Sequence, residues 1–345
     1  MMAKIKLLIV DDSAFMRLLL SDLLSEDAGI EVVGTASNGL EAGEKSQELR
    51  PDVIILDLNM PDYDGLYAVK AIMSSRVTPI LILSSVGNTD LQPVFEALKL
   101  GAVDYMNKPN RNKSKMREIR DDLVQKVKSA ARAQPKNPIE EPVEELPQVV
   151  PRKKRKTEYD LIAIGASTGG PTALETILKV LPGDFDIPIV ICQHMPKAFI
   201  PPFVQRLNAV TELEVLEARK DMRPAAGTVM FCPGHANLVF KKNDGFVKVD
   251  FTDKVFREYN NPSINAMMLS AAEIFEKRTV GVILTGMGKD GLQGMQAIHE
   301  AGGYTITQDQ DSSIIYGMPK AVYDSKCSKV SLGIKEIGNY LTNEL

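Results

Sequence analysis

Short apolar runs that alternate with helical patterns constrain the fold of this chain more than any other feature. The first 133 residues contain five such runs, each followed by a segment with apolar residues at helical spacing. The runs are 4–10, 31–35, 52–58, 79–83 and 104–107. Repeated strand–helix units of this length predict an α/β fold with a parallel sheet covered by helices on both faces. Ligands bind beyond the carboxyl ends of the strands in such sheets, so the residues there are the functional candidates.

Charged and hydroxyl residues gather at these predicted strand ends. Asp11 and Asp12 follow the first run, Asp57 lies at the end of the third, Ser84 follows the fourth and Lys108 the fifth. Converging carboxylates repel one another, so we expect them to hold a divalent cation, and oxygen ligands favour magnesium or manganese. With Lys108 and a hydroxyl nearby, the arrangement is that of a phosphoryl-transfer site whose nucleophile is Asp57. The alternative interpretations are strand-end capping by the two aspartates and a solvated surface lysine.

The same segment resembles the receiver domain of two-component response regulators. The resemblance is carried by Asp11-Asp12, Asp57, Asn59-Met60-Pro61, Gly65, Ser84, Gly101-Ala102, Tyr105 and Lys108-Pro109. It implies a flavodoxin-like (βα)5 fold and phosphorylation of Asp57 by a partner histidine kinase. The implied Mg²⁺ ligands are Asp11, Asp12, Asp57 and the backbone carbonyl of Asn59. The implied switch residues are Ser84, Tyr105 and Lys108, with Lys108 contacting the phosphate and a cis peptide bond before Pro109.

A change of composition separates this domain from the rest of the chain. Residues 134–156 contain five prolines, four glutamates and then the basic run 152–156, without a helical or strand period. This composition predicts a flexible or semi-extended linker between a domain at 1–133 and a second at 157–345. The basic run as a nucleic-acid patch is the weaker interpretation, because it is short, lacks aromatic residues and follows acidic ones.

The strand–helix alternation begins again at Asp160, and its first turn contains a serine. Gly165-Ala166-Ser167-Thr168-Gly169 matches G-x-S-x-G between an apolar strand and a helix that Pro171 opens. In that context the tight turn lifts the serine oxygen to the carboxyl edge of the sheet. Three other interpretations fit the motif alone: a degraded dinucleotide fingerprint, a phosphate-binding loop and a plain structural turn.

Two further strand ends supply partners for the serine. The run 187–192 leads to Gln193-His194, and the run 279–284 leads to a glycine-rich loop that ends in Asp290. A serine nucleophile needs a base, and a histidine base needs a carboxylate that orients it, so we predict a triad of Ser167, His194 and Asp290. The alternatives are a structural histidine and an aspartate that caps the helix starting near Leu292.

The order of the triad residues and the remaining runs complete the prediction for the second domain. The order Ser, His, Asp differs from that of typical α/β-hydrolases, so we expect a different, Rossmann-like doubly wound sheet that has converged on the triad. Runs at 228–232, 238–240 and 246–250 predict a small antiparallel flap. The loop Gly286-Met287-Gly288 and Thr168 are candidates for backbone N–H groups that bind an oxyanion, and Thr168 is alternatively a substrate contact.

This domain is similar to the catalytic domain of the chemotaxis protein-glutamate methylesterase (CheB) family. The matching segments are 164–170, 193–196, 284–291 and 316–319. The resemblance implies that Ser167 is the nucleophile, His194 the base and acid, Asp290 its orienter and the Met287 N–H an oxyanion donor. It implies cytoplasmic hydrolysis of γ-glutamyl methyl esters on chemoreceptor helices, deamidation of receptor glutamines, no cofactor in this domain, and a receiver that blocks the site until it is phosphorylated. Asn261 and Asn265 stand where the family's Arg-Pro-Ser-Val-Asp loop has Arg and Asp. At this loop the resemblance therefore does not imply which receptor or other protein is demethylated.

Composition excludes several other classes. No apolar run approaches the ~20 residues of a membrane span, so we expect no membrane insertion. The three cysteines are scattered, which argues against a zinc site or a disulfide framework and fits the cytoplasm. The net charge of −4 gives no general attraction to nucleic acid, so we expect no nucleic-acid partner. The rival functions are a receiver joined to a non-enzymatic phosphate- or partner-binding module, and a DNA-binding regulator.

Overall fold

The structure is a computed structural model that describes residues 3–84, 91–109, 116–135, 158–259 and 261–345. The chain divides into two compact units, Met1–Glu144 and Glu145–Leu345, and each unit is described by itself. The predicted linker at 134–156, including its basic run, lies almost wholly outside the described residues. The boundaries at 133 and 157 therefore stay predictions. Across the described residues, no helix is both long enough and apolar enough to cross a membrane.

The first unit is a five-stranded parallel sheet with the strand order β2-β1-β3-β4-β5. Its strands are β1 (Ile5–Val10), β2 (Ile30–Ala36), β3 (Val53–Asp57), β4 (Ile80–Ser84) and β5 (Asp104–Asn107). Its helices are α1 (Ala14–Ser25), α2 (Gly39–Leu49), α3 (Gly65–Ser75), α4 (Gln92–Lys99) and α5 (Met116–Ala130). The predicted flavodoxin-like fold is thus confirmed.

Local sequence explains why these elements form where they do. Every residue of β3 and β4 is buried, as their unbroken apolar runs predict for central strands of a parallel sheet. The helices α1, α2 and α3 are preceded by the N-cap residues Ser13, Asn38 and Asp64, whose side chains accept hydrogen bonds from first-turn backbone N–H groups. The strand order reverses between β1 and β3, so the residues that end these two strands meet in the crevice where such sheets bind ligands.

The second unit is a seven-stranded sheet, again wholly parallel, with the order β14-β13-β12-β6-β7-β9-β8. Its strands are β6 (Leu161–Ala166), β7 (Ile189–Gln193), β8 (Glu214–Glu217), β9 (Thr228–Phe231), β12 (Thr279–Ile283), β13 (Tyr304–Gln308) and β14 (Val330–Leu332). The helices are α6 (Gly170–Leu178), α7 (Ile200–Val210), α8 (Ile264–Phe275), α9 (Leu292–Glu300), α10 (Met318–Asp324) and α11 (Ile334–Asn343). The predicted parallel sheet is confirmed.

A separate two-stranded sheet is formed by β10 (Asn237–Asn243) and β11 (Phe246–Thr252). The strands are antiparallel, and Asp244 and Gly245 connect them with φ angles of 51° and 81°. Two consecutive positive φ angles are typical of the two-residue turns that match the twist of a hairpin. β10 packs on α8, where the Phe240 ring meets the Phe275 ring edge-on with centroids 5.5 Å apart. The hairpin therefore holds α8 against the main sheet.

The structure corrects the predicted flap in one respect. The sequence predicts that the run 228–232 belongs to the flap, but β9 pairs in parallel with β7 and β8 in the main sheet. Val229, Met230 and Phe231 are all buried there. A short apolar run is compatible with a buried parallel strand and with an antiparallel one, so its length and composition do not distinguish the two kinds of strand. The edge strands β8 and β14 were not predicted, since both are short and only partly buried.

Candidate functional sites

The carboxylates of Asp11, Asp12 and Asp57 converge at the crevice of the first unit. Their nearest oxygen atoms lie within 4.8 Å of one another. Asp11 and Asp57 are buried, whereas Asp12 is exposed. The Lys108 ammonium lies 2.7 Å from an oxygen of Asp11 and 2.7 Å from an oxygen of Asp57. The structure therefore brings together the four charged side chains that the sequence predicts at this edge.

The charges of this cluster depend on one another. Burial raises the pKa of Asp57, and the hydrogen bond from Lys108 opposes that rise. Burial on its own would lower the pKa of Lys108, but its hydrogen bonds to Asp11 and Asp57 outweigh this effect, so the pKa is raised. The lysine thus stays protonated and balances one of three carboxylates. The remaining negative charge and the all-oxygen donor set fit a small hard cation such as Mg²⁺.

The predicted switch residues lie on two adjacent strands beside this cluster. Ser84 ends β4 and Tyr105 lies in β5, and their side chains are 3% exposed each. The Lys108 backbone N–H donates to the Ser84 carbonyl at 2.7 Å. Their switching roles stay predictions. Among the described residues the cis peptide bond is Asn261–Pro262, so the expected cis bond before Pro109 is not found.

The turn that carries Ser167 is held by its backbone. Ser167 N–H donates to the Thr285 carbonyl at 3.0 Å, and Gly170 N–H donates to the Ser167 carbonyl at 2.8 Å. Gly169 has a φ of 78°, and a Cβ atom there would lie 2.8 Å from Ile314. Both conditions favour glycine. The motif is therefore a tight strand-to-helix turn that presents Ser167 at the carboxyl edge of β6.

His194 and Asp290 form a buried pair at the neighbouring strand ends. His194 Nε2 lies 2.9 Å from Asp290 Oδ2, and the two side chains are 5% and 1% exposed. Both oxygens of Asp290 accept hydrogen bonds from backbone N–H groups. With Asp290 as the acceptor towards His194 as well, the ring proton lies on Nε2. This leaves Nδ1 of His194 as the nitrogen with a free lone pair. β12, β6 and β7 are adjacent in the sheet, so Asp290, Ser167 and His194 follow three neighbouring strands.

Asp290 also binds the start of α8. Its Oδ2 accepts from Ile264 N–H at 2.7 Å, and its Oδ1 accepts from Asn265 N–H at 3.0 Å and from the Ser263 hydroxyl at 3.3 Å. Capping of α9 by this residue was one alternative, but the residue before α9 is Gly291, whose N–H also donates to Asp290 at 3.0 Å. The carboxylate thus stabilises the positive end of a different helix while it orients His194.

The predicted oxyanion loop lies against the serine. A Cβ atom on Gly286 would be 2.7 Å from the Ser167 Cβ, so only glycine permits this approach. Gly286 is fixed by hydrogen bonds with the backbone of Ile315 and Met318. The next residue, Met287, is 40% exposed, whereas Thr168 is buried. The loop is thus beside the nucleophile, and the donor roles of Met287 and Thr168 stay predictions.

Sequence reasoning missed two residues that contact this site. Gln193 is 2% exposed, and its Nε2 donates to the carbonyl oxygens of Ser167 at 2.9 Å and His194 at 3.0 Å. Tyr259 stacks on the His194 ring, with centroids 3.7 Å apart and planes 13° from parallel. A polar residue at the end of an apolar strand was a usable signal for Gln193. Tyr259 begins the segment that resembles the family's substrate loop, but that resemblance does not indicate a contact with His194, which is remote in sequence.

The two asparagines that depart from the family loop have different surroundings. Asn265 is fully buried in α8, and its Oδ1 accepts from Gly294 N–H at 3.0 Å, so it joins α8 to α9. Asn261 has a φ of 58°, and its N–H donates to the side chain of Asn237 at 3.0 Å. Asn265 is therefore a buried residue in the first turn of α8 and does not lie in an exposed substrate loop.

These sites define the class of protein. The first unit is a receiver-type sheet with a carboxylate–lysine cluster, and the second is a parallel sheet that presents Ser, His and Asp. A response regulator with a hydrolase output combines these two kinds of domain in one chain. Residues 7–120 match the response regulator receiver domain and residues 162–341 match the CheB methylesterase domain. The chain belongs to the CheB methylesterase family.

Individual relatives agree over nearly the full length. The chain is 41% identical to a protein-glutamate methylesterase/protein-glutamine glutaminase of Carboxydothermus hydrogenoformans, and the alignment covers 98% of each chain. It is 38% identical to the protein of the same designation from Thermotoga maritima, over 93% of this chain and 92% of that one. The crystal structure of the Thermotoga maritima CheB methylesterase catalytic domain is 34% identical, with a TM-score of 0.53, over 54% of this chain and 99% of that domain.

Proposed function

We propose that this protein is a phosphorylation-activated serine esterase that hydrolyses γ-glutamyl methyl esters on chemoreceptors and deamidates their glutamines. The observation that carries the proposal is the placement of Asp290, Ser167 and His194 at the ends of three adjacent strands, with His194 hydrogen-bonded to Asp290. The full-length relatives named for both activities support it. The buried His–Asp pair also argues against a module that only binds a phosphate, since such a loop needs no base.

In the proposed reaction Ser167 Oγ attacks the ester carbonyl, and its proton passes to Nδ1 of His194. Asp290 holds the opposite nitrogen and stabilises the imidazolium that forms. The Met287 N–H is proposed to bind the oxyanion, and the glycine-lined loop beside Ser167 leaves room for it. His194 then returns the proton to the methoxy oxygen, and methanol leaves an acyl-enzyme.

Hydrolysis of the acyl-enzyme follows the same course in reverse. His194 takes a proton from water, the hydroxide adds to the acyl carbon, and the Ser167 oxygen leaves with that proton while the glutamate carboxyl is released. With a glutamine side chain the first leaving group is ammonia. Glutamate is the product in both cases, so one site accounts for both activities in the relatives' names.

The receiver unit is proposed to regulate this reaction. A carboxylate oxygen of Asp57 takes a phosphoryl group from the phosphohistidine of a chemotaxis histidine kinase. Asp11, Asp12, Asp57 and Asn59 are the residues that would hold Mg²⁺, which supplies charge neutralisation for phosphoryl transfer. Lys108 is proposed to leave its carboxylate partners and bind the phosphoryl oxygens, and Ser84 is proposed as the switch hydroxyl. Phosphorylation is proposed to relieve an inhibition of the esterase by the receiver.

The proposed substrate fixes the place of action. The glutamates to be demethylated lie on the cytoplasmic helices of chemoreceptors, so the protein is proposed to act in the cytoplasm and to approach the membrane only through its receptor partner.

The deciding experiment measures methanol release from methylated receptor membranes by the full chain, with and without a small phosphodonor and Mg²⁺. We expect release that rises with the phosphodonor, and its loss in Ser167→Ala while Asp57 is still phosphorylated. Removal of the residues before 157 should raise the basal rate. Release that ignores the phosphodonor would contradict the regulation, and no release from a phosphorylated protein would contradict the activity.

A further inference from the structure

The aromatic ring of Tyr259 covers one face of the proposed base. Its centroid lies 3.7 Å from that of the His194 imidazole, and the planes differ by 13°. Tyr259 is 43% exposed, whereas the His194 side chain is only 5% exposed. One face of the phenol ring lies on the imidazole. The tyrosine forms the wall that separates this face of His194 from water.

The loop that carries Tyr259 is closed by one buried side chain. Asn237 is 1% exposed, and its Nδ2 donates to the Lys254 carbonyl at 3.1 Å, before Tyr259 in the chain. Its Oδ1 accepts from Asn261 N–H at 3.0 Å and from Ser263 N–H at 2.8 Å, after Tyr259. A single amide in the hairpin thus ties both ends of the loop. These buried hydrogen bonds hold the chain on both sides of Tyr259.

The stacked ring adds a second restraint to the base. The hydrogen bond from Nε2 to Asp290 fixes one atom of the imidazole, and a tilt about that bond would move Nδ1 relative to Ser167. A ring stacked on the face opposes this tilt. The same aromatic face also favours the imidazolium that forms when Ser167 gives up its proton. Both effects are greatest in the transition state, so they act on kcat more than on KM.

We infer that Tyr259 is a positioning residue that holds the His194 ring in its reactive orientation and shields it from water. The inference rests on the proposed esterase activity and adds a residue to its machinery. It requires the aromatic ring and not the hydroxyl group. Tyr259→Phe keeps the stacked ring, whereas Tyr259→Leu keeps an apolar side chain and removes the ring.

The first measurement does not depend on the substrate. In the full chain, the Nε2–H signal of His194 is observed by NMR of the imidazole groups, and it is assigned with His194→Gln among the three histidines. We expect wild type and Tyr259→Phe to show the signal with the same exchange rate. In Tyr259→Leu the exchange with water should be at least about tenfold faster, because the covered face is opened. Equal exchange rates in all three proteins would overturn the shielding contact.

The second measurement is methanol release from methylated receptor membranes. Tyr259→Phe should retain kcat within about threefold, and Tyr259→Leu should lose about 10- to 100-fold in kcat with little change in KM. Tyr323→Leu, which removes an exposed tyrosine from α10, is the matched control and should leave both constants unchanged. A rise in KM alone, or equal losses in the Phe and Leu variants, would overturn the positioning role. If wild type released no methanol, the proposed function would fail, and the exchange rates would still decide the contact.

Discussion

Replacement of Asp290 by asparagine should remove both activity and part of the stability of the second unit. The change keeps the size of the side chain but converts one acceptor oxygen into an N–H donor. If Oδ1 keeps its contacts to Asn265, Gly291 and Ser263, the new amide nitrogen faces the Ile264 N–H, which the carboxylate binds at 2.7 Å. Two donors then point at each other in a buried site.

The magnitude follows from these contacts. One buried N–H left without an acceptor costs about 1–3 kcal/mol. Loss of the negative charge at the start of α8 adds about 1 kcal/mol. The sum of about 2–4 kcal/mol corresponds to a fall in Tm of about 5–15 °C for a unit of this size.

The catalytic loss has a separate cause. The asparagine amide would donate to Nε2 of His194, so the ring proton would move to Nδ1, the nitrogen that has to accept the Ser167 proton. The wrong histidine tautomer in a serine triad lowers kcat by about 10⁴-fold. Activity should therefore fall far more than the fraction of folded protein does.

The assay combines scanning calorimetry of the full chain with methanol release at a temperature where the variant remains folded. Asp160→Asn is the matched control, because Asp160 pairs with Arg278 at the surface and is 43% exposed at its side chain. It should change the free energy of unfolding by less than about 1 kcal/mol. If Asp290→Asn were as stable as this control, the capping of α8 by Asp290 would be refuted.

Three further substitutions test other contacts. Lys108→Ala leaves two buried carboxylates without their cation, so the free energy of unfolding of the first unit should fall by about 3 kcal/mol in EDTA. Mg²⁺ should then raise the Tm of the variant more than that of wild type. Equal Tm values of the two proteins in EDTA would contradict this prediction. Glu41 has its pKa lowered from 4.5 to about 2, chiefly by the hydrogen bond from Lys45, so it stabilises the fold above its ordinary pKa. The Tm difference between Glu41→Gln and wild type should be present at pH 7 and vanish as the pH falls toward 2, and a constant difference would exclude this linkage. In Gly170→Ala the new Cβ would lie 1.9 Å from the Gln193 amide oxygen, so both methanol release and the Tm should fall, the release at least about tenfold. Adding Gln193→Ala should restore part of the lost Tm, and additive losses of Tm in the double variant would argue against the contact.

The sequence predicts those parts of the sites that lie at strand ends. Asp57, Ser167 and His194 each follow a buried run of apolar residues, and parallel strands bring their carboxyl ends to one edge. The sequence therefore predicts both the sheets and the side chains at their edges. The grouping of Asp11, Asp12 and Asp57 within 4.8 Å follows from the parallel pairing of β1 with β3, which brings the ends of these two strands together.

Contacts between remote segments could not be predicted in this way. Tyr259 reaches His194 because a side chain in the hairpin closes its loop, and no short-range pattern encodes that pairing. The assignment of 228–232 to the flap failed for a related reason, since the partner of a short strand depends on the whole sheet. The capping of α8 by Asp290 is likewise invisible until α8 and the loop after β12 are adjacent.

The double attachment of Asp290 bears on how sequences of related proteins should be interpreted. A lineage that abandoned hydrolysis would be free to change Ser167 and His194, but it would still need an acceptor for the buried N–H groups of Ile264 and Asn265. Selection for folding alone would then preserve the aspartate. The aspartate in a related sequence therefore indicates the fold and not the activity, and an inactive member of the family is recognised by changes at the serine and the histidine.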